Sequence, residues 1–313
     1  MESTTTKSPF MQIPNVGAQG YPRLHFGARE LRRQSEFASR PESYELLSLR
    51  PATPLIGAYI EGVDLRHVDD ALHAELHRAL LEWKVLFFRD QQLDGPEHIA
   101  LAKQWGDVEV NDFFPNGDVQ EISRLAKGAM AVGQENTWHS DTSFRRDPSM
   151  ASILRAIEVP DTGGETMWAD MYAAYDNLPD SVKTQIDDLT AMHTFTKSWG
   201  LVMEPEQVEA MEKLHPPTAH PVVRIHPETG RELLYVNEPF TSEIVELPGD
   251  EGDRLLDYLM FQARVPEYQV RFRWEPGSVA IWDNRSTQHY AINDYYPQRR
   301  VMERVTVVGD QPF

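Results

Sequence analysis

The chain has 313 residues, 41% of them hydrophobic and 25% charged, with a formal net charge of −19. This is a globular composition with ample core, and its acidity excludes a nucleic-acid surface, which needs a concentrated basic face. Cysteine is absent, which excludes disulfides, iron–sulfur clusters and thiolate-held zinc, so any metal must rest on His, Asp and Glu. There is neither a basic start followed by an apolar h-region nor an 18-residue apolar run, so a cytoplasmic chain without membrane contact is expected.

Residues 1–45 are rich in Ser, Thr, Pro and Arg, and Arg29, Arg32, Arg33 and Arg40 make the segment locally basic. It reads as a partly ordered N-terminal arm that packs on its own acidic surface or on a neighbouring subunit. Residues 46–313 then read as one catalytic-sized domain. Residues 57–65 alternate like a strand entering a turn. Residues 69–83 place Leu72, Leu76, Leu80 and Trp83 at helical spacing behind an Asp pair suited to a helix N-terminus. Residues 85–88 (Val-Leu-Phe-Phe) form the continuous apolar run of a buried strand, and Pro96 suits the first turn of a helix. Further strands are expected at 152–157, around 163–168 after a Gly pair, and at 233–236, 268–274, 279–282 and 300–308. Helices are expected near 169–178, 180–189, 205–214 and 250–262. Many short strands with turn signals and peripheral helices predict a mainly β fold, a double-stranded β-helix (jelly roll, cupin-like), over a doubly wound sheet.

His139 and Asp141, in Trp138-His139-Ser140-Asp141, are two apart and would share one face of an extended strand. A neutral imidazole and a carboxylate converging on one point supply two thirds of the 2-His-1-carboxylate arrangement that holds non-haem Fe(II) with open positions. The spacing alone is cheap: it recurs as His67/Asp69, His73/Glu75 and His226/Glu228. Residues 277–290 form a strand, a polar turn and a second strand that begins at His289. A jelly roll brings distant strands into one barrel, so His289 can complete a site begun at His139. Arg300 and Arg304 share one face of an alternating strand, where two guanidiniums are costly to bury without anions. Structural salt bridges and an anionic ligand are both open readings. His193, His215 and His220 lack a paired spacing and read as hydrogen-bonding groups.

These motifs together resemble the taurine dioxygenase family of Fe(II)- and 2-oxoglutarate-dependent dioxygenases. The matching stretches are 138–141, Thr162-Gly-Gly-Glu-Thr166-Met-Trp168, His220-Pro-Val-Val-Arg224, Val236-Asn-Glu238, residues 281–290 and residues 297–304 through Gly309-Asp310. The likeness runs from about residue 49 to the C-terminus. It implies His139, Asp141 and His289 as iron ligands, with 2-oxoglutarate chelating the iron and its far carboxylate held by Arg300 and Thr166. It implies O2 as oxidant, succinate and CO2 as products, and hydroxylation of a small-molecule substrate. Arg304 matches the position that binds the substrate's anionic group in the taurine enzyme. Other pocket positions depart from that enzyme: a histidine aligns with Asn111, a tyrosine with Phe114, an asparagine with Glu135 and a phenylalanine with Trp199, while Phe240 is retained. The expected substrate is therefore anionic, with an aromatic-lined pocket in place of a taurine site: an alkyl or aryl sulfonate, an alkyl sulfate or an aryloxyalkanoate. A biosynthetic oxygenase with the same chemistry is the alternative. Homo-oligomers, dimers or tetramers, are expected from the family.

Overall fold

Residues 85–88 are apolar at every position because the strand they form is covered on both faces. The computed structural model describes residue 29 and residues 44–113, 119–131 and 135–313. Nearly all of the arm expected at 1–45, and Phe114, lie outside the described residues. In chain order the elements are β1 (Ser48–Pro51), β2 (Ala58–Glu61), α1 (Asp70–Trp83), β3 (Val85–Phe88), α2 (Gly95–Ala102), β4 (Ser123–Lys127), β5 (Ala151–Glu158), β6 (Thr166–Asp170), α3 (Met171–Asp176) and α4 (Asp180–Ile186). There follow β7 (Thr190–His193), α5 (Pro205–Leu214), β8 (Thr218–Pro221), β9 (Val223–Ile225), β10 (Glu232–Leu234), β11 (Thr241–Ile244), α6 (Asp250–Phe261), β12 (Gln269–Phe272), β13 (Val279–Asp283), β14 (Thr287–Ala291) and β15 (Arg300–Val307).

Seven strands make one sheet in the order β1-β2-β3-β13-β5-β15-β4, and β12-β6-β14 make a smaller one. Both contribute to a shared core: Phe87, Leu154, Trp282 and Met302 from the large sheet, and Trp168, Val270 and Phe272 from the small one. Phe87 and Phe272 stack across it with ring centroids 4.3 Å apart. Two sheets closing over one core give the expected jelly roll. The outer face of the large sheet buries Leu86, Phe88, Ile281 and Val305 against Leu76 and Leu80 of α1 and Leu101 of α2. The outer face of the small sheet packs on α3 and α6. Two minor sheets, β11-β7-β8 and β10-β9, complete the structure. No helix among the described residues is long and apolar enough to cross a membrane.

Local chemistry sets the element ends. Asp69 caps α1 by accepting from the Leu72 N–H, and Asp94 and Glu97 cap α2 reciprocally, with Pro96 in its first turn. Lys84 ends α1 in a left-handed conformation, φ 62°. Its buried ammonium lies 2.9 Å from Asp170 Oδ2 and donates to the Leu55 carbonyl. Asp170 Oδ1 in turn accepts from the Tyr172 and Ala173 N–H groups at the start of α3. This cap moves the helix expected at 169–178 to Met171–Asp176 and leaves Ala169 in β6. The sequence pattern misses β4, which has Leu125 as its one large apolar residue. It is a strand because it pairs with β15 at the edge of the sheet. On β15, Met302 faces the inter-sheet core while Val305 and Val307 face outward, so Arg300 and Arg304 point inward with Met302.

Asp170→Ala would leave the Lys84 ammonium, 1% exposed, without its carboxylate. Removing one partner of such a pair costs about 3–5 kcal/mol, so the urea midpoint should fall sharply. An unchanged midpoint would show that the pair carries no stability.

Candidate metal centre and its two cavities

His139 and His289 are brought together by backbone. The His139 N–H donates to the His289 carbonyl at 3.0 Å and the His289 N–H to the His139 carbonyl at 2.7 Å. This antiparallel bridge adds the segment at 139 to the edge of β14, and it sets the two rings with centroids 4.1 Å apart. Asp141 is not on that extended stretch. The chain turns at residues 141–144, with Thr142 at φ 50°. The expectation of one shared strand face is therefore corrected: a bridge and a turn, not alternation, make the residues converge. Asp141 Oδ1 lies 3.9 Å from Nε2 of each histidine. One donor atom from each of the three residues lies within 4.8 Å of the others, the one such group among the described residues.

The hydrogen bonds suit a cation. His139 Nδ1 donates to the Thr137 carbonyl at 2.9 Å, which turns Nε2 toward Asp141 and His289. Burial, then the charge of the neighbouring His139, hold His289 well below the usual histidine range. Burial pushes the Asp141 carboxyl up, but Arg304 first and the two histidines next outweigh it, so Asp141 lies well below the usual carboxylate range. Two imidazoles and a carboxylate result, with Nε2 of His139 left outside the Thr137 hydrogen bond. The carboxylate is held on both oxygens: Arg304 Nη1 donates to Oδ1 at 2.7 Å and Ser152 Oγ to Oδ2 at 2.8 Å. Behind Ser152, the Asn284 amide donates to its Oγ at 2.9 Å and accepts from the Trp282 indole at 2.8 Å. Ser140 Oγ donates to the Asn284 carbonyl. The other His-x-acid pairs are absorbed by structure. Asp69 caps α1, Glu75 accepts from the N–H groups of Glu45 and Leu46, and His226 and Glu228 pair with Asp283 and Arg285.

Two cavities meet at the triad. The smaller, about 60 Å³, runs from His289 to Thr166, Asn293, Tyr295 and Arg300. Arg300 is buried, and its Nη2 lies 3.5 Å from Thr166 Oγ1. Its Nε has no hydrogen-bond partner among the described residues. Burial lowers the Arg300 pKa, against the pull of Tyr295 and Glu135. The Trp274 indole donates to Thr166 Oγ1 at 2.9 Å, which leaves the threonine proton for an acceptor. The larger cavity, about 630 Å³, is walled by Phe113, Trp199, Met203, Met211 and Phe240.

Among the remaining expected pocket residues, Arg304, Glu135, Trp199 and Phe240 line the large cavity. Asn111 does not: its Oδ1 accepts from the Phe113 N–H at 2.8 Å, so its amide closes a turn. Phe113, not anticipated, supplies the ring in that wall and contacts Trp199 at 4.6 Å between centroids. Lys127, Ser152, Asn284 and Trp274 were also not anticipated. Asn284 lies in the polar turn between β13 and β14, where its spacing signals only a turn.

The model of the family described as "Taurine catabolism dioxygenase TauD, TfdA family" matches residues 48–306. An alkylsulfatase of Acinetobacter baylyi is 40% identical over 276 residues, covering 84% of this chain and 86% of that protein. An alpha-ketoglutarate-dependent sulfate ester dioxygenase of Pseudomonas putida is 36% identical, covering 88% of this chain and 93% of its own length. The crystal structure of a taurine dioxygenase from Burkholderia xenovorans superposes with a TM-score of 0.73 at 35% identity, over 86% of this chain and 93% of that one. With a metal-capable triad inside the matched span and a superposable jelly roll around it, the chain belongs to the TauD, TfdA family of taurine catabolism dioxygenases.

Proposed function

We propose that this protein is a cytoplasmic Fe(II)- and 2-oxoglutarate-dependent dioxygenase that hydroxylates a C–H of a small anionic substrate: an alkyl or aryl sulfonate, an alkyl sulfate or an aryloxyalkanoate. The observation that carries the reading is the position of the triad, at the junction of a small cavity ending in a buried arginine and a large apolar one. The residues fit the implied groups. Two imidazole nitrogens and one carboxylate form the donor set of an Fe(II) site with open positions. A buried guanidinium whose Nε has no hydrogen-bond partner among the described residues calls for an anion.

Fe(II), 2-oxoglutarate and O2 supply the oxidising equivalent, converting 2-oxoglutarate to succinate and CO2 while a substrate C–H becomes C–OH. The protein's part is placement and exclusion of water. His139, Asp141 and His289 would hold the metal. Ser152 and Asn284 fix the rotamer of Asp141 so that one oxygen faces the histidines. Arg300 would present a fork to the far carboxylate of 2-oxoglutarate, and Thr166, its oxygen already accepting from Trp274, would donate its proton to the same group. Arg304 is positioned for the anionic end of the substrate, and Phe113, Trp199 and Phe240 for its carbon body. When the hydroxylated carbon also bears a sulfate ester or aryl ether oxygen, the product collapses to a carbonyl compound and releases sulfate or the phenol. The names of the relatives support this: an alkylsulfatase, a sulfate ester dioxygenase and, at 33% identity, a 2,4-dichlorophenoxyacetate dioxygenase.

The deciding experiment measures succinate formation with Fe(II) and 2-oxoglutarate across taurine, alkyl and aryl sulfonates, alkyl sulfates and aryloxyacetates. A substrate with an apolar body should stimulate turnover well above taurine, because a cavity of about 630 Å³ with an aromatic wall leaves taurine loosely held. Taurine equalling the best larger compound would overturn the pocket assignment. Arg300→Ala should raise the 2-oxoglutarate requirement on the order of 100-fold, as expected for truncating one side of a buried charge pair. A normal requirement would move the co-substrate elsewhere. Ser152→Ala should weaken Fe(II) binding about 10–100-fold, the usual effect of removing an outer hydrogen bond to a ligand. Metal titration of the folded variant reads this directly.

A further inference from the structure

Asp141 reaches the two histidines because the chain turns sharply behind it, and that turn is held by buried polar groups with no part in the chemistry above. Thr142 sits at φ 50°. Lys84, Asp90 and Thr142 are the non-glycine residues at positive φ among the described residues, and of these Thr142 is the β-branched one. For a β-branched side chain this conformation is an outlier that persists only where the surroundings enforce it.

The surroundings form a closed circuit. The Thr142 carbonyl accepts from the Arg145 N–H at 2.8 Å. Thr142 Oγ1 accepts from the Ser149 N–H at 3.0 Å and lies 2.6 Å from Ser149 Oγ. Ser149 Oγ gives its one proton to Glu109 Oε1 at 2.9 Å, so Thr142 is the donor in the 2.6 Å bond. Arg145 completes the ring with Nη1 3.3 Å from Glu109 Oε2, while its Nη2 reaches Asp112 Oδ2 at 3.2 Å. Thr142, Ser149 and Glu109 are all buried.

Main chain ties this circuit to the large sheet. The Glu109 N–H donates to the Thr306 carbonyl at 2.8 Å, and the N–H of Met150, next to Ser149, donates to the Val307 carbonyl at 2.9 Å. Both acceptors lie on β15, the strand of Arg304. The Met150 carbonyl accepts from the Asn284 N–H at 2.9 Å. The turn is therefore referred to the same strand and the same polar loop that hold the Asp141 carboxylate. Arg304 and Ser152 aim that carboxylate, but a side chain is aimed only from a backbone already in place.

We propose that Thr142 is a positioning residue for the metal centre: its hydroxyl, seated on Ser149 and Glu109, holds the left-handed turn that delivers Asp141 to the two histidines. The proposal rests on the metal reading above and adds to it the groups that fix where the third ligand stands.

The test titrates the metal-free full chain with Co(II), whose visible absorption reports the donor set, and follows thermal unfolding of the metal-free protein alongside. Thr142→Ala should weaken Co(II) binding about 10–100-fold, the range for groups that orient a ligand from outside, and should alter the absorption. Thr142→Ser, which keeps the hydroxyl, should restore both. Thr142→Gly takes a positive φ without strain, so it separates the backbone from the hydroxyl, and its affinity should still fall. Ser149→Ala should weaken binding as Thr142→Ala does, and the double variant no further, because either change opens the same circuit. Thr142→Ala or Thr142→Gly binding Co(II) as tightly as wild type overturns the proposal and leaves the dioxygenase reading standing. So does a Thr142→Ala protein that unfolds earlier with its Co(II) absorption unchanged, since the role is then structural alone. Failure of Thr142→Ser to restore binding overturns the part given to the hydroxyl, and additive losses in the double variant overturn the shared circuit. Wild-type protein without affinity for Co(II) overturns the proposal together with the metal reading.

Discussion

The site depends on a pair of backbone hydrogen bonds. His139 and His289 exchange N–H and carbonyl groups, and everything chemical is hung from that exchange. It sets two rings beside each other without asking either side chain to pay entropy for the meeting. One further turn then delivers Asp141, with Thr142 accepting a positive φ to do so. Because the rings are positioned by main chain, their nitrogens remain available for a ligand, apart from the His139 Nδ1 that bonds the Thr137 carbonyl.

Around this bridge the two sheets divide the labour. The inter-sheet core of Phe87, Trp168, Phe272 and Trp282 holds the barrel's shape, and Trp282 also reaches the Asn284 amide that steadies Ser152 and hence Asp141. One side chain thus belongs both to the packing and to the polar scaffold of the centre. At the far end of the small cavity, Trp274 does the same for Thr166. Trp282, Asn284, Ser152 and Asp141 form one connected chain, and Trp274, Thr166 and Arg300 another. An isolated polar atom would cost more.

Much of this was legible in the residues. The helical spacing of Leu72, Leu76 and Leu80, the apolar run at 85–88 and the alternation on 300–307 each reported a real face. The two inward arginines followed from the last of these. The metal residues were legible through several motifs in order, since His139 and Asp141 alone have three look-alikes in the chain. What was not legible depends on contacts across sequence. β4 is a strand only because β15 lies beside it, so Lys127 gave no signal. Ser152 and Asn284 are ordinary polar residues until the barrel closes. Asn111 and Phe113 show why a loop resists reading from spacing: near a turn, neighbouring residues point in different directions, and Phe113 supplies the aromatic wall while Asn111 Oδ1 accepts from the Phe113 N–H.

β4 has one further consequence. It is joined to the large sheet along a single ladder, to β15, and carries Leu125 and Lys127 on the face toward the cavities. β5 and β15, which bear Ser152, Arg300 and Arg304, are paired on both sides, and β14, which bears His289, has β6 on one side and the bridge to His139 on the other. A substitution on such a border disturbs one ladder, whereas a change at Arg300 or Ser152 is felt by neighbours on either flank. The wall of the cavities formed by Leu125 and Lys127 is thus answerable to a single neighbouring strand, and its shape can change while the sheet behind Arg300 keeps its register.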